Sequence, residues 1–117
     1  DFNLLENYHK NHNCPVTISR YPLTTKFGII ESNKDGKVLN FEEKPTLDIW
    51  FNIGYFFIER KIFKKFVKFN TFVELLNNLV KTGELSSFSH TGHHITINTL
   101  EELNYAEKNI NKIIKYI

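Results

Sequence analysis

The chain has 117 residues, 41% hydrophobic and 24% charged, with a formal net charge of +2. This is the balance of one small folded domain or part of a larger one, and it excludes a disordered chain or a strongly basic nucleic-acid binder. One cysteine, Cys14, excludes an internal disulfide and a thiolate metal cluster.

No apolar run approaches the ~18 residues of a membrane helix. The start, Asp1-Phe2-Asn3, lacks the basic and apolar regions of a secretion signal, so no membrane partner and a cytoplasmic location are expected. The chain contains no Met and opens on Asp1, from which a missing N-terminal portion is expected. Its 11 Phe and 5 Tyr suit a sheet with helices packed on it.

Asp1 is placed to cap a helix from Phe2 to about Lys10, with Leu4, Leu5 and Tyr8 on one face. Pro15 to Arg20 alternates Val16 and Ile18 with Thr17 and Ser19, which predicts a half-buried strand; Tyr21 to Thr25 reads as a loop. Lys26 to Glu31 is a strand in which Gly28 marks a bulge or a close backbone approach. Asp35-Gly36 predicts a primed hairpin turn back into Lys37 to Glu43.

Pro45 stops that strand and biases Lys44 toward extended backbone. Trp50 to Ile58 is apolar almost throughout and predicts a central strand covered on both faces. Glu59 to Lys68 has helical spacing, with Ile62, Phe63, Phe66 and Val67 inward. Thr71-x-x-Glu74 is a capping box, followed by a stripe of Phe72, Leu75, Leu76, Leu79 and Val80, and Lys81 and Gly83 close the helix.

Leu85 to His90 and Ile95 to Ile97 read as short strands. A second box, Thr99-x-x-Glu102, starts a long helix with Leu100, Leu103, Ala106, Ile110, Ile113, Ile114 and Ile117 at helical spacing. The order predicts a mixed α/β layer, one side of a larger doubly wound domain.

Four groups could carry chemistry. Lys44, at the end of a strand, is a point charge suited to a phosphate, and Glu43 beside it could accept bonds from sugar hydroxyls; the plainer reading is a solvated strand end. Asn52 offers donors and an acceptor, and Gly54 lets a ligand reach the backbone, or the two are a turn Asn and a bulge Gly. His90, His93 and His94 invite a metal reading, but one turn cannot easily aim three rings at one ion, and a partly exposed loop is the simpler account. The lysine-rich stretch Arg60 to Lys68 is an amphipathic helix before it is an RNA-binding patch, and no nucleic-acid partner is expected.

Phe27-Gly28, Asp35-Gly36-Lys37-Val38, Phe41-x-Glu43-Lys44-Pro45 and Trp50-x-Asn52-x-Gly54-Tyr55-Phe56, in that order, resemble the sugar-phosphate nucleotidyltransferases. The tail, Gly83-Glu84-Leu85, His90-Thr91-Gly92 and Asn98-Thr99-Leu100, is most similar to the glucose-1-phosphate cytidylyltransferase branch.

The resemblance implies that residues 1–117 form the C-terminal portion of a Rossmann-like nucleotidyltransferase fold, a mixed sheet with flanking helices. It implies transfer of a nucleotidyl group, CMP in that branch, from a nucleoside triphosphate to a sugar-1-phosphate, with Mg²⁺ and release of pyrophosphate. Lys44 would be the catalytic cation on the sugar phosphate, Glu43 and Asn52 would bond sugar hydroxyls, and Gly54 would admit the sugar.

Three departures accompany it. The Gly-rich nucleotide loop and the first metal-binding Asp of the family would lie before Asp1. Asn98 stands at the second metal-binding Asp, and an amide is a weaker Mg²⁺ ligand than a carboxylate. His93 and His94 replace an aromatic and a Trp, and Ile53 replaces a Gly. The 117 residues alone are therefore expected not to catalyse transfer. A non-catalytic sugar-phosphate-binding or regulatory relative is the alternative, and association into a homo-oligomer is left open.

Overall fold

In the computed structural model, residues 1–114 are described, apart from the Ile113 side chain. Ile117, expected on the apolar stripe of the last helix, lies outside the described residues. Asp1 accepts the Asn3 backbone N–H at 2.9 Å and opens α1 (Phe2–Asn11). α1 buries Leu5 but leaves Leu4 57% exposed, so the expected face is narrower than its pattern.

β1 (Val16–Thr24) runs on through the segment expected to be a loop. Tyr21, Pro22 and Thr24 pair with Phe51, Trp50 and Thr46 of β4 (Thr46–Ile58). On its other side β1 pairs in parallel with β5 (Leu85–Ser89), and that ladder ends at Arg20 opposite Ser89. Pro22 thus falls where β1 has a single strand neighbour, a setting that tolerates the lost N–H.

The sheet order is β4-β1-β5, antiparallel then parallel, which reverses two expectations. β1 is the central strand and is covered on both faces: Thr17 and Ser19 are as buried as Val16. His9 Nδ1 lies 2.8 Å from Thr17 Oγ1, which also pairs with Ser86 Oγ at 2.8 Å, so the buried hydroxyl is satisfied. β4, for all its apolar residues, is at the edge, with Ile49, Trp50 and Tyr55 exposed.

β2 (Ile29–Ser32) and β3 (Val38–Glu42) form a separate two-stranded sheet. The turn is not primed. Asp35 has ordinary φ and only Gly36, at φ 84°, takes the left-handed conformation. Asn33 Oδ1 accepts the N–H groups of Asp35 and Lys37 at 3.0 and 2.9 Å, which stabilises a longer loop closed by a glycine bulge.

The expected helix over 59–68 splits into a 3-10 turn, Arg60–Ile62, and a single turn of α2, Phe63–Phe66. Glu59 supplies no side-chain cap, and the β-branched and aromatic residues here propagate a helix poorly. Val67 and Phe63 consequently face outward, at 87% and 57% exposure. α3 (Phe72–Lys81) is capped by Thr71, whose Oγ1 accepts the Glu74 N–H at 3.2 Å. Leu75 and Leu79 join Val16 and Ile62 in the core, and Phe56, Ile58, Phe66 and Leu85 pack around them. Full burial of each such aliphatic side chain contributes about 1.5–3 kcal/mol.

Ile95 to Ile97 is not a strand. The segment is held by side chains instead: Tyr21 Oη donates to Gly92 O at 3.1 Å, and the His94 ring lies against Tyr21 and Phe51. α4 (Leu100–Ile114) then buries Ala106 and leaves Leu100, Ile110 and Ile114 exposed. The radius of gyration is 18.4 Å, against about 13 Å for a compact chain of this length. Ile30, Leu39 and Phe41 of the β2–β3 hairpin accordingly stand exposed.

Candidate functional site

Lys44 is the one non-glycine among the described residues with positive φ, 46°, and it directly precedes Pro45. The extended backbone expected before a proline is absent. A pre-proline residue avoids this region, and holding one there costs about 1–3 kcal/mol. The turn is tied down on both sides. Pro45 O accepts the Thr25 N–H at 3.4 Å at the end of β1. On the other side Gly28 lies before β2, because the strand expected over Lys26 to Glu31 begins only at Ile29, and it still makes a close approach: a Cβ there would sit 2.7 and 2.8 Å from the Phe41 ring and 3.2 Å from Glu43 Oε2. Gly28 therefore seats Phe41 and the Glu43 carboxylate against the β2 approach. Lys44 is exposed and makes no ion pair with a described carboxylate.

Asn52 and Gly54 form a bulge. Ile18 pairs with Phe56 and Arg20 with Asn52, so Ile53, Gly54 and Tyr55 oppose Ser19 alone. Asn52 Oδ1 accepts the Gly54 N–H at 2.7 Å, and Gly54 takes φ 84° with nothing within 4 Å of a built Cβ. The plainer alternative, a turn Asn and a bulge Gly, thus describes the backbone. It leaves the Asn52 Nδ2 donors without a protein partner among the described residues, and an open approach at Gly54.

Asn52 lies at the level of Arg20, whereas Lys44 is two residues before Thr46, which pairs with Thr24. Four residues of β1 separate these levels, about 13 Å. The neighbour the sheet gives Asn52 is therefore Arg20. Arg20 Nε donates to Ser89 Oγ at 3.0 Å, and its guanidinium carbon lies 4.4 Å from the Trp50 ring centroid. Arg20 was not among the residues singled out from the sequence. The available signal was its register: Val16, Ile18 and Arg20 share one face of β1, and only the last is polar.

On the opposite face Tyr21, Thr24, Phe51, His94, Glu101 and Tyr105 line an open cleft of about 430 Å³. Burial holds the His94 ring below the usual imidazole range, and the neighbouring His90 lowers it further. The three histidines do not converge: His90 Nε2 is 3.0 Å from His93 O, and His94 Nε2 is 3.0 Å from Thr96 Oγ1.

Asn98 is exposed, and its backbone N–H donates to Glu102 Oε2 at 2.7 Å. That bond, first among its causes, lowers the Glu102 carboxyl below its ordinary range. The Glu102 oxygen is thereby committed to the helix cap. Among the described residues no three His, Cys, Asp or Glu side chains gather to hold a metal. The donors present, a neutral amide and a committed carboxylate, do not by themselves fit a Mg²⁺ site.

The sequence profile of the nucleotidyl transferase family matches residues 3–117. A Bacillus subtilis protein named as a glucose-1-phosphate cytidylyltransferase is 32% identical over 102 residues, 85% of this chain and 40% of that protein. A Clostridium novyi glucose-1-phosphate adenylyltransferase is 26% identical over 88% of this chain and 31% of its own length. The fold matches a Bacillus anthracis crystal structure, described as a glucose-1-phosphate thymidylyltransferase with sucrose, at TM-score 0.61 and 17% identity, covering 100% of this chain and 50% of that one. The chain spans less than half the length of these curated relatives. Among the described residues no helix is long and apolar enough to cross a membrane. With a mixed sheet, flanking helices and a family match over nearly every residue, the chain belongs to the nucleotidyl transferase family of sugar-phosphate nucleotidyltransferases.

Proposed function

We propose that the protein containing this chain is a sugar-1-phosphate nucleotidyltransferase, with CMP as the transferred group. A sugar-phosphate oxygen bonds to the α-phosphorus of the triphosphate. The bond from that phosphorus to its bridging oxygen breaks, and pyrophosphate leaves with the electron pair. Such chemistry is mostly positioning and neutralisation of charge. Lys44 holds the sugar phosphate, Glu43 and Asn52 bond sugar hydroxyls, and Gly54 gives the sugar access. No step is assigned to Mg²⁺, since the described residues do not complete a site for it.

The observation that carries this reading is Lys44 itself: a cation with no ion pair among the described residues, held in a left-handed backbone directly before a proline. Strain maintained in this way is characteristic of ligand-handling turns. The test is pyrophosphate release from CTP and glucose 1-phosphate by the whole protein. Lys44→Ala is expected to slow it by about 100-fold; an unchanged rate would remove Lys44 from the mechanism. The 117 residues alone have no Gly-rich phosphate loop and are expected to release none.

A second reading, a sugar-phosphate-binding relative that has lost transfer, is favoured by the Asn98 amide. It predicts binding of glucose 1-phosphate without pyrophosphate release from any triphosphate. Under the first reading Asn98→Asp raises the Mg²⁺-dependent rate, and equal rates across a Mg²⁺ titration argue against a ligand role at this position.

A further inference from the structure

Arg20 is the last residue of β1 to pair with β5, and across β4 it faces Asn52. It sits at the carboxyl end of the parallel pair, the end at which open α/β sheets bind ligands. Two contacts orient its guanidinium, the bond from Nε to Ser89 Oγ and the face of Trp50. Neither neutralises it. Among the described residues no carboxylate forms an ion pair with Arg20, although the residue is half-buried.

A guanidinium has five N–H donors in a rigid fork, and among the described residues only the one on Nε is used here. The remaining four, on the Nη atoms, have the geometry that grips two oxygens of a phosphoryl group. The unused Asn52 Nδ2 donors lie at the same level of the sheet. A lysine could not reproduce this arrangement, because it can neither stack flat on an indole nor present a fork.

We propose that Arg20 binds a phosphoryl group of the substrate, with Ser89 and Trp50 acting as positioning residues for its guanidinium. The proposal rests on the reading of the whole protein as a sugar-1-phosphate nucleotidyltransferase. Its chemistry fits either a sugar phosphate or the phosphates of a nucleotide.

Trp50 is the single tryptophan of the chain, so its fluorescence reports on this site. The chain is titrated with glucose 1-phosphate, CTP, inorganic phosphate and unphosphorylated glucose, with calorimetry in parallel. Wild type is compared with Arg20→Gln and Arg20→Lys, each first checked for an unchanged circular-dichroism spectrum and melt. Saturable binding of a phosphorylated probe, weakened about tenfold in Arg20→Gln and only partly restored in Arg20→Lys, supports the site. A response to glucose 1-phosphate alone assigns the sugar phosphate; a response to CTP alone assigns the nucleotide.

Equal affinities in wild type and Arg20→Gln, or no binding of any phosphorylated probe by wild type, overturn the proposal. Lys44→Ala and Asn52→Ala separate it from the reading beneath it. If they weaken glucose 1-phosphate and Arg20→Gln does not, only Arg20 is refuted. If Arg20→Gln alone weakens it, the assigned sugar contacts are refuted and Arg20 stands.

Discussion

Glu102 closes the start of α4 on Asn98: its Oε2 accepts the Asn98 N–H at 2.7 Å and the Thr99 N–H at 3.1 Å, while Thr99 Oγ1 accepts the Glu102 N–H at 3.2 Å. This reciprocal box satisfies backbone donors that a helix start otherwise leaves unpaired. Thr99→Ala is expected to cost about 1 kcal/mol. Glu102→Ala should speed amide exchange at Asn98 and Thr99, with Glu102→Gln intermediate because it keeps one carbonyl acceptor. Exchange at those two amides unaltered in Glu102→Ala would show that the carboxylate does not hold the cap in solution.

Acid should destabilise the fold in two windows. His94 is half-buried, and that partial loss of water, with the neighbouring His90, holds its pKa below the ordinary 6.5. The unfolded chain then binds the proton first, so stability is full above 6.5 and declines as pH falls from there through the lowered value. Glu102 and Glu84 are also lowered from 4.5, Glu102 chiefly by the Asn98 N–H and Glu84 chiefly by its bond to Lys65. Their contributions are present above 4.5 and lost as pH falls through their folded values. Melting temperatures from pH 8 to 3 should show both declines, and His94→Gln should remove only the upper one. A His94→Gln profile that still falls as pH drops below 6.5, before the carboxylate decline begins, would assign that window to another group.

What the sequence made legible was local. Both capping boxes are closed within four residues, so Thr71, Glu74, Thr99 and Glu102 announced their helices. The Asp35-Gly36 hairpin was visible for the same reason, though not its turn type, since Asn33 Oδ1 binds two backbone donors and selects a longer loop. Which strand is central was not visible. An apolar run such as Trp50 to Ile58 records what a strand can bury, whereas its place is set by partners distant in sequence. Arg20 escaped notice on the same ground: its bond to Ser89 joins residues 69 positions apart, and only the β1–β5 register brings them together. Lys44 and Glu43 could be named from their motif, but the left-handed backbone at Lys44 contradicts the usual effect of a following proline.

The narrow apolar face of α3 separates two adjacent residues that share the expected stripe. Leu79 has no exposed surface, whereas Val80 is 64% exposed. Leu79→Ala is expected to cost about 2–5 kcal/mol by chemical denaturation, and Val80→Ala to stay within about 0.5 kcal/mol. Comparable losses at both positions would mean that α3 is rotated about its axis relative to the sheet.

Two glycines of the candidate site should respond to alanine in opposite ways. At Gly54 a Cβ meets nothing within 4 Å, so the whole cost is the left-handed backbone at φ 84°, about 1–2 kcal/mol. Gly54→Asn should recover part of it, because asparagine tolerates that region. At Gly28 the backbone imposes no such strain, and the added methyl group strikes the Phe41 ring and approaches Glu43 Oε2. Phe41 is 58% exposed and can swing away, so stability should change little. The displacement instead carries Phe41 and the Glu43 carboxylate off the turn that presents Lys44. Gly28→Ala should therefore shift the Phe41 ring resonances and weaken glucose 1-phosphate, at a cost in denaturation below that of Gly54→Ala. The reverse order, with Gly28→Ala the more destabilising and ligand affinity intact, would make Gly28 a packing residue and separate the Glu43 carboxylate from substrate recognition.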